Sequence, residues 1–279
     1  MQNSIMPHSS RNILRSRRSF LRMAAMAFLF LFAVSAAAAQ QLRVAAAADL
    51  QFAMKDLAAS YEAKTRQSVA VTYGSSGNFS TQIENGAPFD LFFSADISYP
   101  QKLIDAGLAD RQTLYSYAFG RLALWAPAGS HLNLAEKGFP ALLDPQIQKI
   151  AIANPEHAPY GRAAVAALQK AGIYDRVKSK FVFGENISQA AQFVQSGNAQ
   201  VGIVALSLAI SPAMQNGDRW LVPAELHPPL EQAAVVISAS KNKMAAAPFL
   251  DFVKSSEGKE ILARYGFTMA KTSSGENKP

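Results

Sequence analysis

Gly74-Ser75-Ser76-Gly77 sets two adjacent hydroxyls between two glycines. Two kinds of chemistry are open to such a stretch. A serine hydroxyl is a nucleophile if a base takes its proton, and otherwise a donor to a bound anion. The nucleophile reading lacks support. Two residues, not three, separate the glycines, so the motif is not G-x-S-x-G. Beyond the first forty residues the histidines are His131, His157 and His227. Each lies in a polar or Pro-rich stretch, and none is spaced to share a metal with another. Only His157, beside Glu156, falls near a candidate site. There is no GxGxxG and no Walker A. The chain has no Cys, which excludes disulfides, thiolate metal sites and a lipidated N-terminal cysteine. Donors without a reactive constellation favour binding over catalysis.

The serines need elements to aim them. Val69–Tyr73 alternates apolar and polar β-formers and reads as a strand. Phe79–Ile83 has the spacing of a short amphipathic helix. The serines therefore sit where a strand gives way to a helix N-terminus, which presents unpaired N–H groups and a partial positive charge. Taken alone, such a junction is more often an ordinary Ser cap than a ligand site. Leu42–Ala46 makes a second strand-to-helix junction. Ala47-Ala48-Asp49 precedes a helix with Leu50, Ala53, Met54, Leu57 and Tyr61 on one face, and Asp49 falls at the expected N-cap. Leu91–Ser94 is a third strand, followed by a helix at Tyr99–Ala106. This alternation predicts a parallel sheet with helices on its faces.

A second run of β and α units opens with a strand at Phe119–Ala126. Further strands are expected at Ile150–Ala153, Phe181–Phe183, Val201–Val204, Trp220–Val222 and Ala233–Ser238. Helices are expected at Phe139–Leu143, after the Pro-rich loop Asn154–Gly161, at Ile187–Ser196 and at Ala205–Ala213. Pro248–Lys254 and Glu257–Tyr265 end the chain as helices, with a frayed Gly275–Pro279 tail. Phe92, Phe93 and Phe183 are assigned to the core, and Asp90 and Asp96 to caps or turns.

Residues 1–39 stand apart. They carry Arg11, Arg15, Arg17, Arg18 and Arg22, no acidic residue, an apolar run at Met23–Val34 and then Ala36–Ala39. That is an export signal, with cleavage expected after Ala39. Ser16-Arg17-Arg18-Ser19-Phe20-Leu21 also has the form of a twin-arginine signal. Five of the 27 basic residues leave with it, so 22 face 20 acidic ones in the mature chain. The near-neutral remainder has no basic run of the kind nucleic acid requires.

The chain resembles the molybdate-binding proteins that feed ABC transporters. The resemblance rests on Ala45-Ala46-Ala47-Ala48-Asp49-Leu50, Gly74-Ser75-Ser76-Gly77, Ile83 through Asp96, Asn154 through Gly161, Gly202-Ile203-Val204 and Tyr265-Gly266-Phe267. It covers most of the mature chain. It implies an α/β fold: a two-domain periplasmic binding protein of type II, with the ligand cleft between domains and two crossing strands. Domain I would be 40–120 with 233–279, and domain II 121–232. The function implied is a periplasmic receptor for a tetrahedral oxyanion, molybdate or tungstate, serving an ABC permease and its ATPase at the inner membrane. A monomer is expected, with no enzyme activity, no cofactor and no nucleic-acid partner. The implied site is Ala48, Asp49, Ser75, Ser76, Tyr160 and Ile187. The oxygens around the molybdenum would be held by Asp49, Ser76, Tyr160 and Ile187.

Two positions depart from the pattern. Many members have Ser or Thr where this chain has Asp49, and many have Tyr where it has Ala205; Tyr160 would supply that side chain. A carboxylate about 4 Å from a dianion is repelled by about 4 kcal/mol per unit charge at an effective dielectric of about 20. Asp49 is therefore expected to turn away and cap its helix. If it faces the ligand instead, a protonated oxyanion such as phosphate becomes the alternative. An exported serine hydrolase using Ser76 is the alternative of another class.

Overall fold

The computed structural model describes residues 41–269. The expected export signal and the frayed tail lie outside the described residues.

Two five-stranded sheets form the molecule. The first contains β1 (Leu42–Ala47), β2 (Val69–Gly74), β3 (Leu91–Ser94), β4 (Tyr115–Gly120) and β10 (Leu230–Val236), in the order β2-β1-β3-β10-β4. Its side chains alternate between faces, as a pleat demands. Val44, Ala46, Leu91, Phe93, Ala234 and Val236 pack under α1 (Gln51–Thr65), α9 (Lys243–Lys254) and α10 (Ser256–Arg264). Ala45, Phe92 and Val235 face α2 (Ser76–Glu84) and α3 (Ser98–Asp105) on the other side. Each of these apolar side chains is fully or almost fully buried.

The second sheet contains β5 (Leu122–Ala126), β6 (Ile150–Ala153), β7 (Phe181–Gly184), β8 (Val201–Ala205) and β9 (Asp218–Leu221), in the order β7-β6-β8-β5-β9. Helices α4 (Leu134–Lys137), α5 (Pro159–Lys170), α6 (Tyr174–Val177), α7 (Ile187–Gln195) and α8 (Leu206–Ala209) accompany it. The fold is thus two α/β lobes. Neither sheet is purely parallel, contrary to expectation. β10 runs antiparallel to β3 and β4, and β5 antiparallel to β8 and β9. These reversed strands stand beside the passages from lobe to lobe.

Several elements differ from their sequence assignment. Phe119–Ala126 is not one strand. It breaks at Gly120-Arg121 into β4 and β5, which belong to different sheets. The return passage runs through residues 222–229, ahead of the predicted Ala233–Ser238 strand, and β10 includes Glu231 and Gln232. The helix expected at Ala205–Ala213 stops at Ala209, because Pro212 disfavours helical geometry in the residue before it. Conversely, α9 starts before Pro248 and runs through it. The carbonyl that Pro248 cannot bond belongs to Met244, which is 94% exposed, so water is at hand. Phe183 is not core: it lies on edge strand β7, 52% exposed. Among the described residues no helix is long and apolar enough to cross a membrane.

In both lobes three parallel strands, β2-β1-β3 and β7-β6-β8, sit side by side. Ligands of open α/β sheets lie just beyond the carboxyl ends of such strands. The segments that follow β1, β2, β3, β6 and β7 are therefore where a site belongs.

Candidate functional site

Those segments converge. Ala47, Ala48 and Asp49 after β1, Gly74, Ser75 and Ser76 after β2, and Ala95 after β3 wall one side of a small cavity of about 10 Å³. Ala158, Pro159 and Tyr160 at the start of α5, with Asn186 and Ile187 at the start of α7, wall the other. All six residues expected from the sequence line this one cavity. No Lys, Arg or His is among the lining residues. Among the described residues, no three His, Asp or Glu side chains cluster as metal ligands.

The walls are rich in donors because three helices begin there. Ser75 caps α2, its Oγ accepting from the Asn78 N–H at 3.3 Å. Asn186 caps α7, its Oδ1 accepting from Ser188 and Gln189. α5 opens on Pro159 with no side-chain cap. These arrangements leave the first-turn N–H groups of Ser76, Tyr160 and Ile187 without a backbone acceptor among the described residues. The capping serine is thus Ser75 rather than Ser76. Ser76 is wholly buried and its Oγ accepts from the Ala95 N–H at 2.9 Å. With its acceptor side engaged, the hydroxyl proton is left to point at a ligand.

Asp49 is not a helix cap. It lies inside a 3-10 turn, Ala48–Leu50, and no side chain caps either that turn or α1. Its carboxylate is instead drawn into a buried network. Tyr160 Oη donates to Asp49 Oδ2 at 3.0 Å, and Gln232 Nε2 donates to the same oxygen at 2.6 Å. Gln232 Oε1 in turn accepts from Tyr117 Oη at 2.7 Å. Asp49 Oδ1 is buried with no hydrogen-bond partner. Burial raises the Asp49 pKa from 3.8 to about 6, against the lowering effect of the bonds from Gln232 and Tyr160 and of the Asp49 and Leu50 backbone N–H groups. Burial, with the nearby Asp49 charge, also holds the Tyr160 and Tyr117 hydroxyls well above their usual range.

A raised carboxyl pKa has a definite sign. The folded state holds the Asp49 proton more tightly than the unfolded one. The resulting stability is complete below about pH 4 and is lost as pH rises through about 6. Asp49→Asn removes the buried charge. Ligand-free Asp49→Asn should therefore match the parent near pH 4 and exceed it by up to about 3 kcal/mol above pH 6. Urea unfolding at the two pH values measures this, and equal differences at both would refute it.

Further contacts tie the lobes around the cavity. Arg162 on α5 donates to Asp96 Oδ2 at 2.7 Å and to Tyr99 Oη at 2.9 Å. Ser207 Oγ donates to the Asp49 carbonyl at 2.7 Å, and the Gly77 N–H to the His157 carbonyl at 3.0 Å. Ser188 Oγ lies 3.0 Å from both the Ala48 carbonyl and Gln51 Oε1. Asn78 Nδ2 donates to Glu185. His157 bridges Ser75 Oγ at 3.0 Å and Glu185 at 3.6 Å. That row of hydroxyl, imidazole and carboxylate involves Ser75, which is engaged as a cap, and not Ser76. Asp96 is a turn residue as expected, accepting from the Ser98 N–H, but its ion pair was not foreseen. Nor were Gln232 and Tyr117. Gln232 left one trace in the sequence: an amide directly before an apolar run, fully buried in the fold.

A family model described as bacterial extracellular solute-binding protein matches residues 42–268. The molybdate-binding protein of Rhodobacter capsulatus is 40% identical over 231 residues, covering 83% of this chain and 89% of the relative. That of Azotobacter vinelandii is 38% identical, covering 83% and 91%. The solved structure of an Azotobacter vinelandii periplasmic molybdate-binding protein superposes with a TM-score of 0.78 at 32% identity, covering 82% of this chain and all of that one. The lobes, the cleft and these matches agree: the chain belongs to the bacterial extracellular solute-binding proteins.

Proposed function

We infer that this protein captures a tetrahedral oxyanion, molybdate or tungstate, in the periplasm and delivers it to an ABC importer. One observation carries the reading. The cavity is walled by N–H and O–H donors from helix starts in both lobes, Ser76, Tyr160 and Ile187 among them, with no cationic side chain. Helix N-termini favour anions through unpaired donors and the dipole. Neutral donors can neutralise a small dianion by hydrogen bonding from all sides. The two lobes, parted at Gly120-Arg121 and at 222–229, are the domains that close on it, so the second boundary falls before Leu230 and not at the expected 232/233. The permease and its ATPase are the partners that this role requires, and residues 1–39 act as the export signal. No catalytic step is assigned. Ser76 meets a backbone N–H and not a base, so generic esters should not be turned over.

The test is calorimetric titration of ligand-free protein with molybdate, tungstate, sulfate and phosphate. Molybdate and tungstate should bind one to one, with sulfate and phosphate at least about tenfold weaker, a gap of about 1.4 kcal/mol. Phosphate as the tightest ligand would overturn the assignment.

A further inference from the structure

Asp49 is out of keeping with the rest of the cavity. It is a carboxyl group in a wall of donors, 1% exposed, with no cation among the influences on it. Its bonded partners come from both lobes. Oδ2 receives two donors, Tyr160 Oη from α5 and Gln232 Nε2 from β10. In this orientation Gln232 Oε1 accepts from Tyr117 Oη, which also lies 3.2 Å from the Ser94 carbonyl. Oδ2 already accepts two hydrogen bonds, which favours Oδ1 as the place for a proton on this carboxyl. Oδ1 has no partner at hydrogen-bond geometry, although the Asp49 and Leu50 backbone N–H groups act on the carboxylate. A protonated Oδ1 is a neutral O–H donor on a residue of the cavity wall, in character with every other group there.

We propose that the anion is bound together with one proton, which is held on Asp49 Oδ1 and donated to a ligand oxygen. The proposal rests on the oxyanion reading above. One O–H bond forms on Asp49, and the proton comes from solvent. The ionised carboxylate would repel a dianion strongly, and burial already shifts the carboxyl toward its neutral form. The other groups facing Asp49 do not compete for the proton near neutral pH. Tyr160 and Tyr117 are held protonated, Gln232 does not titrate, and Ser207 from α8 bonds the Asp49 carbonyl. Arg162, paired with Asp96, and His157, bonded to Ser75, are not among the cavity-lining residues.

Calorimetry with molybdate near pH 8, in buffers of different ionisation enthalpy, counts the proton directly. About one should be taken up per anion bound, and affinity should fall about tenfold per pH unit above neutrality. Asp49→Asn supplies a permanent neutral donor. Its uptake should drop to near zero, its affinity should be flat with pH, and it should outbind the parent at high pH. Molybdate binding to the parent with no net uptake would overturn the proposal alone. So would the same uptake in Asp49→Asn, which would place the proton elsewhere. Since the parent's own proton count is decisive, a poorly folded variant would not rescue the idea. Failure to bind any of the four oxyanions would remove the underlying reading as well.

Discussion

Gly120→Ala is expected to weaken molybdate binding by about five- to a hundredfold while leaving both lobes folded. A Cβ at position 120 would stand 2.2 Å from Tyr160 Oη and 2.6 Å from Gln232 Nε2. Neither group can yield, because both are buried and bonded to Asp49. Overpacking of this kind costs about 1–3 kcal/mol, and each 1.4 kcal/mol is a factor of about ten in affinity. The position of the clash matters. Gly120 ends β4 in the first lobe, whereas Tyr160 belongs to α5 in the second. Parting the lobes relieves the contact with Tyr160, so the penalty falls on the closed, ligand-holding state. Titration should show the loss, and urea unfolding a smaller change. An unchanged affinity would mean that Tyr160 is not held against Gly120 when ligand is bound.

Ser76→Ala should produce two separable losses. The hydroxyl proton has no acceptor among the described residues, so removing it deletes a donor to the anion. A hydrogen bond to a charged group is worth roughly 1.5–3 kcal/mol, about ten- to a hundredfold in affinity. The same oxygen accepts the Ala95 N–H inside the fold. Its removal leaves that buried donor unpaired, at about 1–3 kcal/mol of stability. A serine that only supports the Ala95 loop would show the second loss without the first. Measuring affinity and unfolding on one variant separates the two roles.

The parts of the site legible in the sequence are those set by local rules. A strand followed by small residues and then a helical stripe announces a helix start. Gly74–Gly77, the Pro-rich loop before α5 and Asn186 before α7 all follow that pattern. What local rules missed is what the lobes bring to each other. Tyr160 and Asp49 are 111 residues apart, and Gln232 and Asp49 are 183 apart. No spacing in the chain reveals that an acid in the expected cap position is met by two donors from distant segments. Propensity favoured a cap for Asp49, and tertiary burial overrode it. The split of Phe119–Ala126 was hidden for a similar reason. Both halves are apolar and β-forming, and only their partners, β10 for one and β8 and β9 for the other, assign them to different sheets.

The strand order of the first sheet also dictates a sequence of events during synthesis. Chains emerge N-terminus first, at about 5–20 residues per second. All strands of the second sheet lie between Leu122 and Leu221, so that sheet can complete itself before β10 exists. The first sheet cannot. β10 lies between β3 and β4, and until Leu230–Val236 arrives each of those strands has an open edge where the other should be reached. The sheet of the inserted lobe can therefore form while its host is still in two pieces. Gln232 travels on the missing strand, so the network around Asp49 closes only with the last strand to be made.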